Sequence, residues 1–77
     1  MKIETLHEFK TTAKGYNRNI LDYADRYRRY FICEYGAVEN NRYISGVIMD
    51  NLVLYDETNS FENAIRELAS YIYNRED

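Results

Sequence analysis

Proline is absent from this chain of 77 residues, and glycine occurs only three times. This scarcity excludes collagen-like repeats and flexible Pro- or Gly-rich linkers. A single cysteine, Cys33, cannot form an intramolecular disulfide, so a reducing setting is the default. No apolar run approaches the roughly 20 residues of a membrane-spanning helix, and the first ten residues lack the apolar core of a signal peptide. We therefore expect a cytoplasmic protein, in the host cell if a phage encodes it.

The residues that usually carry catalysis are also scarce. His7 is the only histidine, and no serine or cysteine stands at a recognisable spacing from it. Cys33 lies inside an apolar run, which is more typical of a buried, inert thiol than of a nucleophile. No cluster has the spacing of metal ligands, and no glycine-rich loop could hold a phosphate. The sequence predicts a protein that is not an enzyme and has no metal or cofactor.

Apolar residues and tyrosines, in contrast, are plentiful. Hydrophobic residues make up 45% of the chain, which predicts one folded domain over residues 1–77. Nine of the twelve aromatic residues are tyrosines. A tyrosine can complete a core at its wet edge, and it is also enriched at binding surfaces. We expect a minority of the tyrosines to face a partner.

Charge is unevenly divided along the chain. Residues 1–30 carry a balance of +3 and residues 31–77 a balance of −6, for a net charge of −3. Such a bipolar domain suits electrostatic steering toward a charged partner. A chance split of few charges is the alternative interpretation.

Periodicity predicts a helix near each end. Apolar residues at helical spacing indicate a first helix over residues 3–14, with Gly15 as its C-terminal cap. The last helix follows a polar stretch, and Ser60 or Asn59 is its expected N-cap. We expect both helices to cover the same face of a sheet with these apolar residues: Leu6, Phe9, Phe61, Ile65, Leu68 and Ile72.

Residues 19–36 fit two interpretations. As a helix, they place acid-first pairs at i,i+4, Asp22 with Arg26 and Asp25 with Arg29. As a strand, the run from Arg28 has the aromatic and β-branched residues that favour strands. We predict a short helix near 19–27, followed by a strand from about 28 to 36.

Two more strands are expected over 42–49 and 52–55, joined by a two-residue turn at Asp50 and Asn51. Gly46, inside the first of them, indicates a bulge or a close backbone approach. The predicted fold class is α+β: an N-terminal helix, a three-stranded antiparallel β-meander and a C-terminal amphipathic helix.

This element order resembles the double-stranded RNA-binding domain. That family places lysines at the start of its last helix, where they meet phosphates, but residues 60–64 contain none and include Glu62. Its Gly-Pro-x-His segment is also missing. Basic and aromatic residues interleaved between 23 and 30 leave nucleic-acid binding as an alternative. They are Tyr23, Arg26, Tyr27, Arg28, Arg29 and Tyr30, and the opposing interpretation is that Asp22 and Asp25 neutralise the arginines.

The acidic residues of the second half predict a protein-binding surface. They could imitate a run of phosphates and block a groove on a nucleic-acid-binding effector. In size and character the chain is similar to small phage or mobile-element inhibitors, such as anti-CRISPR and anti-restriction proteins. The predicted acidic face comprises Glu34, Glu39, Asp50, Asp56, Glu57, Glu62 and Glu67. A third hypothesis is a homodimer joined by edge strands or by the end of the last helix, at Tyr71 and Tyr73.

Overall fold

The computed structural model describes residues 1–12, 16–37 and 40–73. Within these ranges, five strands form one antiparallel sheet in the order β1-β5-β4-β3-β2, with a short N-terminal helix and a C-terminal helix. The elements are β1 (Lys2–Thr5), α1 (Leu6–Thr12), β2 (Tyr16–Asp25), β3 (Arg28–Ala37), β4 (Asn40–Met49), β5 (Leu52–Thr58) and α2 (Phe61–Tyr73). The predicted three-stranded meander is therefore wrong, because β1 and β2 extend the sheet at both edges.

The N-terminal helix begins later than its apolar spacing suggests. Thr5 and Glu8 form a reciprocal capping box: the Thr5 amide donates to Glu8 Oε1 at 3.0 Å, and the Glu8 amide donates to Thr5 Oγ1 at 3.1 Å. This cap starts α1 at Leu6 and leaves residues 2–5 to pair with β5. The expected cap at Gly15 lies outside the described residues.

The expected helix near 19–27 is also wrong, because those residues belong to β2 and its turn into β3. Register shifts between Tyr16 and Arg18 and between Asn19 and Leu21 interrupt the strand's alternation. Asp22 pairs with Arg29 rather than with Arg26. Asp22 lies opposite Phe31 and Arg29 opposite Ala24, so their side chains meet on a cross-strand diagonal.

The turn between β4 and β5, the cap of α2 and the position of Gly46 agree with the predictions made from the sequence. Asp50 and Asn51 form the turn between β4 and β5, and Met49 pairs with Leu52 across it. Ser60 caps α2, since its Oγ accepts a hydrogen bond from the Asn63 amide at 3.2 Å. At Gly46 the backbones of β4 and β5 approach closely, because an added Cβ would lie 2.7 Å from Tyr55 Cα and closer still to the Leu54 carbonyl. The register of β4 with β5 does not shift there.

The two helices lie on opposite sides of the sheet, which corrects the expectation that both cover one face. On the α1 side, Phe9 packs edge-on against Phe31 and Tyr55, with ring centroids 5.6 and 5.0 Å apart. On the α2 side, Ala64 and Leu68 pack on strand residues that include Tyr30, Ile32 and Val47. Phe61 and Ile65, both expected in the core, are half-exposed. Neither described helix has the length and apolarity that crossing a membrane requires.

Candidate functional site

Several apolar side chains on the α2 side of the sheet are half-exposed. Leu21 and Tyr23 of β2 lie opposite Ile32 and Tyr30, which belong to the core beneath α2. Cross-strand partners share a face, so both side chains point to the α2 side. Their exposed fractions are 39% and 51%.

The helix contributes the other half of this group. Phe61 and Ile65 stand at i,i+4 on α2 and are 42% and 41% exposed. The Phe61 ring lies 5.6 Å from the Tyr43 ring of β4, so it covers the sheet without being enclosed by it. We use the name α2-side apolar surface for these four side chains, two on β2 and two on α2: Leu21, Tyr23, Phe61 and Ile65.

The predicted acidic face is divided by the fold. Asp56 lies opposite Ser45 and Glu34 opposite Tyr43, both toward α2, whereas Glu57 lies opposite Ile44 and points to the α1 side. Asp50 occupies the β4–β5 turn, and Glu62 and Glu67 are exposed on α2. Glu39 lies outside the described residues. The seven carboxylates therefore do not form one continuous surface.

Three of these carboxylates already have partners within the chain. Glu34 accepts a hydrogen bond from Asn41 Nδ2 at 2.7 Å. Glu57 accepts one from the Tyr35 hydroxyl at 2.7 Å and pairs with Lys2 at 3.1 Å. Asp56 accepts one from the Tyr71 hydroxyl at 2.7 Å and pairs with the Met1 amino group at 3.1 Å.

These contacts change the acidity of the groups involved. The Tyr35 hydroxyl, helped by Lys2, outweighs burial and holds the pKa of Glu57 below its usual 4.5. Burial raises the pKa of Asp56, but the Tyr71 hydroxyl and the Met1 amino group outweigh it and leave that pKa below 3.8. Burial and the neighbouring Asp56 raise the pKa of Tyr71. Both carboxylates are thus ionised and internally neutralised near neutral pH.

Glu62 also has a partner, Arg66, but it differs from these three because its own side chain is largely exposed. Its Oε2 lies 3.3 Å from Arg66 Nη2, and the side chains are 77% and 71% exposed. An exposed i,i+4 pair contributes little to stability. Glu62 can therefore exchange Arg66 for a basic residue of a partner at small cost.

The interleaved Arg and Tyr residues are also separated by the sheet. Arg29 forms a two-pronged ion pair with Asp22, at 2.8 and 2.5 Å, on the α1 side. Tyr30 is fully buried under α2, and Tyr23 stacks on it with ring centroids 5.9 Å apart. Arg26 and Tyr27 form the exposed β2–β3 turn, where Arg26 has a φ of 54°. These residues do not form a single basic and aromatic strip.

Cys33 has the environment of a structural thiol. Its side chain is buried, and its Sγ donates to Asn19 Oδ1 at 2.9 Å. Burial, and then the charge of Asp22, raises its pKa to about 11. The thiol is therefore protonated at neutral pH, which makes it a poor nucleophile.

A cleft that sequence reasoning missed opens between the later part of α2 and the sheet. Its volume is about 450 Å³, and its floor is apolar: Val47, Met49 and Leu54. Arg28 and Tyr30 line it from β3, and Asp56 and Glu67 contribute carboxylates. We call it the Arg28 cleft. Alternation along β3 could have placed Arg28 and Tyr30 on one face, but the opposing floor depends on strand register.

Comparison with protein-family models, with curated proteins and with solved structures finds no match to this chain. Any functional assignment must therefore depend on the geometry of these surfaces.

Proposed function

We propose that this chain is a non-enzymatic protein-binding module that docks through the α2 side of its sheet. The observation that carries the proposal is the α2-side apolar surface, four half-exposed apolar side chains on β2 and α2. Apolar and aromatic groups at the centre of a patch, with charged groups around them, are typical of protein interfaces.

Charge determines the kind of partner. Glu62 and Glu67 stand on the exposed part of α2, and Glu62 has only a weak competing ion pair with Arg66. A partner surface with basic residues around an apolar centre would complement both features. Of the predicted acidic face, Asp50 in the β4–β5 turn and the two carboxylates of α2 are left for a partner, because Glu34, Asp56 and Glu57 are already bonded within the chain.

A finer form of the proposal is an inhibitor of anti-CRISPR or anti-restriction type, acting in the cytoplasm of a host cell. Nucleic-acid-handling effectors carry basic grooves, and such a groove is the surface that an acidic helix flanked by apolar residues would occupy. Cys33 is the single cysteine of the chain and cannot form an intramolecular disulfide, which fits a reducing compartment.

The test begins with affinity purification from the native host and continues with calorimetry on the purified partner. We expect micromolar or tighter binding that weakens at least tenfold in Ile65→Ser and in Glu62→Lys. Ile3→Ser is the matched control, because Ile3 is also exposed on the α2 side but lies on β1, at the edge of the sheet opposite β2. A partner bound equally by all three variants, or no partner in that affinity range, would contradict the proposal.

Nucleic-acid binding is the second candidate, and the β2–β3 turn is the observation in its favour. Tyr27 is 85% exposed there beside the exposed Arg26. Fluorescence anisotropy with single- and double-stranded oligonucleotides separates the candidates. Binding that weakens steeply with salt and disappears in the double variant Arg26→Ala/Tyr27→Ala would favour the nucleic-acid-binding candidate.

The homodimer hypothesis keeps two of its expected contact regions. The edges of the sheet are β1 and β2, and Tyr73 is 86% exposed at the end of α2. Tyr71, in contrast, is half-buried and bonded to Asp56. Sedimentation velocity at micromolar concentration distinguishes a monomer from a dimer.

A further inference from the structure

The Arg28 cleft is large enough for a small organic molecule. Its volume of about 450 Å³ falls within the roughly 300–1,000 Å³ of ligand pockets in proteins. The floor of Val47, Met49 and Leu54 is apolar, as such pockets usually are. A few polar groups at the margins would then determine which ligand fits.

Two of these polar groups have unused hydrogen-bonding capacity. The Tyr30 hydroxyl is fully buried and has no hydrogen-bond partner within the described part of the chain. Arg28 is half-buried, and its Nε donates to the Met49 sulfur at 3.4 Å, which is a weak acceptor. A buried hydroxyl without a partner destabilises a fold, and an acceptor on a ligand in the cleft would satisfy it.

Arg28 and Tyr30 both line the cleft from β3. They are two residues apart in β3, so their side chains share the α2 side of the sheet. They lie opposite Met49 and Val47, which form part of the floor. A guanidinium and a phenol in this arrangement would both donate hydrogen bonds to one anionic group.

The carboxylates lie toward the other end. Asp56 is opposite Ser45, and Arg28 is opposite Met49, so four residues of β4 separate the two positions. Four residues of a strand span about 13 Å. Among the carboxylates that line the cleft, Asp56 is already bonded to Tyr71 and the Met1 amino group, so Glu67 is the one that would repel a second anion. Outside this lining, Asp25 of β2 lies opposite Arg28.

We propose that the Arg28 cleft binds a small apolar monocarboxylate, such as a medium-chain fatty acid or an aromatic acid. The carboxylate accepts a hydrogen bond from the Arg28 guanidinium and, after a side-chain shift that uncovers it, a second one from the buried Tyr30 hydroxyl. The apolar body lies on Val47, Met49 and Leu54, away from Glu67. This site goes beyond the protein-binding function and does not depend on it.

The test is an NMR titration of the isotope-labelled chain with four probes: octanoate, 3-phenylpropionate, octanol and octylamine. We expect the two carboxylates to bind and to shift the resonances of Val47, Met49 and Leu54. Octanol, which matches octanoate in chain length but has no charge, should bind at least tenfold more weakly. A preference between octanoate and 3-phenylpropionate identifies the natural ligand class as aliphatic or aromatic.

Tyr30→Phe is the decisive variant, because it removes a single oxygen atom from a buried ring. We expect it to weaken octanoate binding about tenfold, the effect of losing one hydrogen bond to a charged group, while raising the Tm by a few degrees. A purely structural role of Tyr30 would not combine these two changes. Glu67→Gln is the matched control, and octanoate should bind to it as well as or better than to the wild type.

Three outcomes would overturn the proposal. Octylamine could bind as tightly as octanoate, which would assign the cleft to a cation held by Asp56 and Glu67. Octanoate could bind Tyr30→Phe and the wild type equally. Octanoate could also shift resonances only around Phe9 and Asn19, on the α1 side, where a second cleft of about 250 Å³ lies.

Discussion

The two sides of the sheet differ in how completely their polar groups are hydrogen-bonded and their apolar side chains are covered. On the α1 side, Phe9, Phe31 and Tyr55 form a closed aromatic cluster, and Glu57 is bonded to Tyr35 and Lys2. On the α2 side, Tyr30 and Ser45 are fully buried with hydroxyl groups that have no partner among the described residues. Apolar side chains there are also left half-exposed.

This difference is the reason that we propose the α2 side, and not the α1 side, for binding. A side whose polar groups are paired and whose apolar groups are covered contributes to stability and offers little to a ligand. The α2 side has the larger of the two clefts described above, a cation with a poor acceptor and an apolar surface. Glu4 Oε1, a buried oxygen without a hydrogen-bond partner in the described chain, is the one exception on the α1 side.

The largest expected effect comes from truncating one phenylalanine on each side. Phe9→Ala should lower the free energy of unfolding by about 3–5 kcal/mol, because the ring is buried against two others. Phe61→Ala should cost about 1 kcal/mol or less, because Phe61 is half-exposed. Urea unfolding followed by circular dichroism measures both. Equal losses would show that the two sides are equally closed.

An intermediate effect with opposite signs is expected from removing one tyrosine hydroxyl on each side. Tyr35→Phe should cost about 1 kcal/mol, because that hydroxyl donates to Glu57 at 2.7 Å and accepts from Arg42 at 3.3 Å. Tyr30→Phe should instead stabilise the chain by about 1 kcal/mol, because the hydroxyl is buried without a partner. Thermal and urea unfolding of the two variants measure the difference. A loss of stability in both variants would contradict the expected difference between the two sides of the sheet.

The smallest expected effect is a change in how the free energy of unfolding depends on pH in the acid range. Because the folded-state pKa of Glu57 lies below its usual 4.5, Glu57 contributes stability above that pH and loses it as the pH falls through the folded value. Glu57→Gln should therefore flatten the decline in unfolding free energy below about pH 4.5, by less than about 1 kcal/mol. Unfolding curves between pH 3 and 7 measure it. Glu62→Gln is the control, and an identical change in both variants would contradict the assignment.

Sequence reasoning succeeded where local signals agreed with the tertiary structure. The turn at Asp50 and Asn51, the cap at Ser60 and the close approach at Gly46 all depend on a few neighbouring residues. The start of α1 could also have been found, because Thr5 and Glu8 have the spacing of a capping box. Apolar spacing from Ile3 obscured that signal and suggested an earlier start.

The two missed strands have physical reasons of their own. Register shifts in β2 put two consecutive residues, Ile20 and Leu21, on the α2 side. The alternation of apolar and polar residues that would have predicted a strand is therefore broken there. β1 is four residues long and becomes a strand only because β5 offers it an edge. Neither the ion pair of Asp22 with Arg29 nor the floor of the Arg28 cleft could be predicted, since both depend on cross-strand register.

The pairing of β1 with β5 also has a consequence for folding kinetics. The other strand pairs join neighbours in sequence, whereas Thr5 pairs with Leu52 across 47 residues. Compared with closing the β4–β5 turn, closing that loop costs roughly 2 kcal/mol more in chain entropy. The pairing of β1 should therefore form late, after the hairpins of β2 to β5. Its amide hydrogens should exchange with solvent before those of β3 and β4, which pair on both sides.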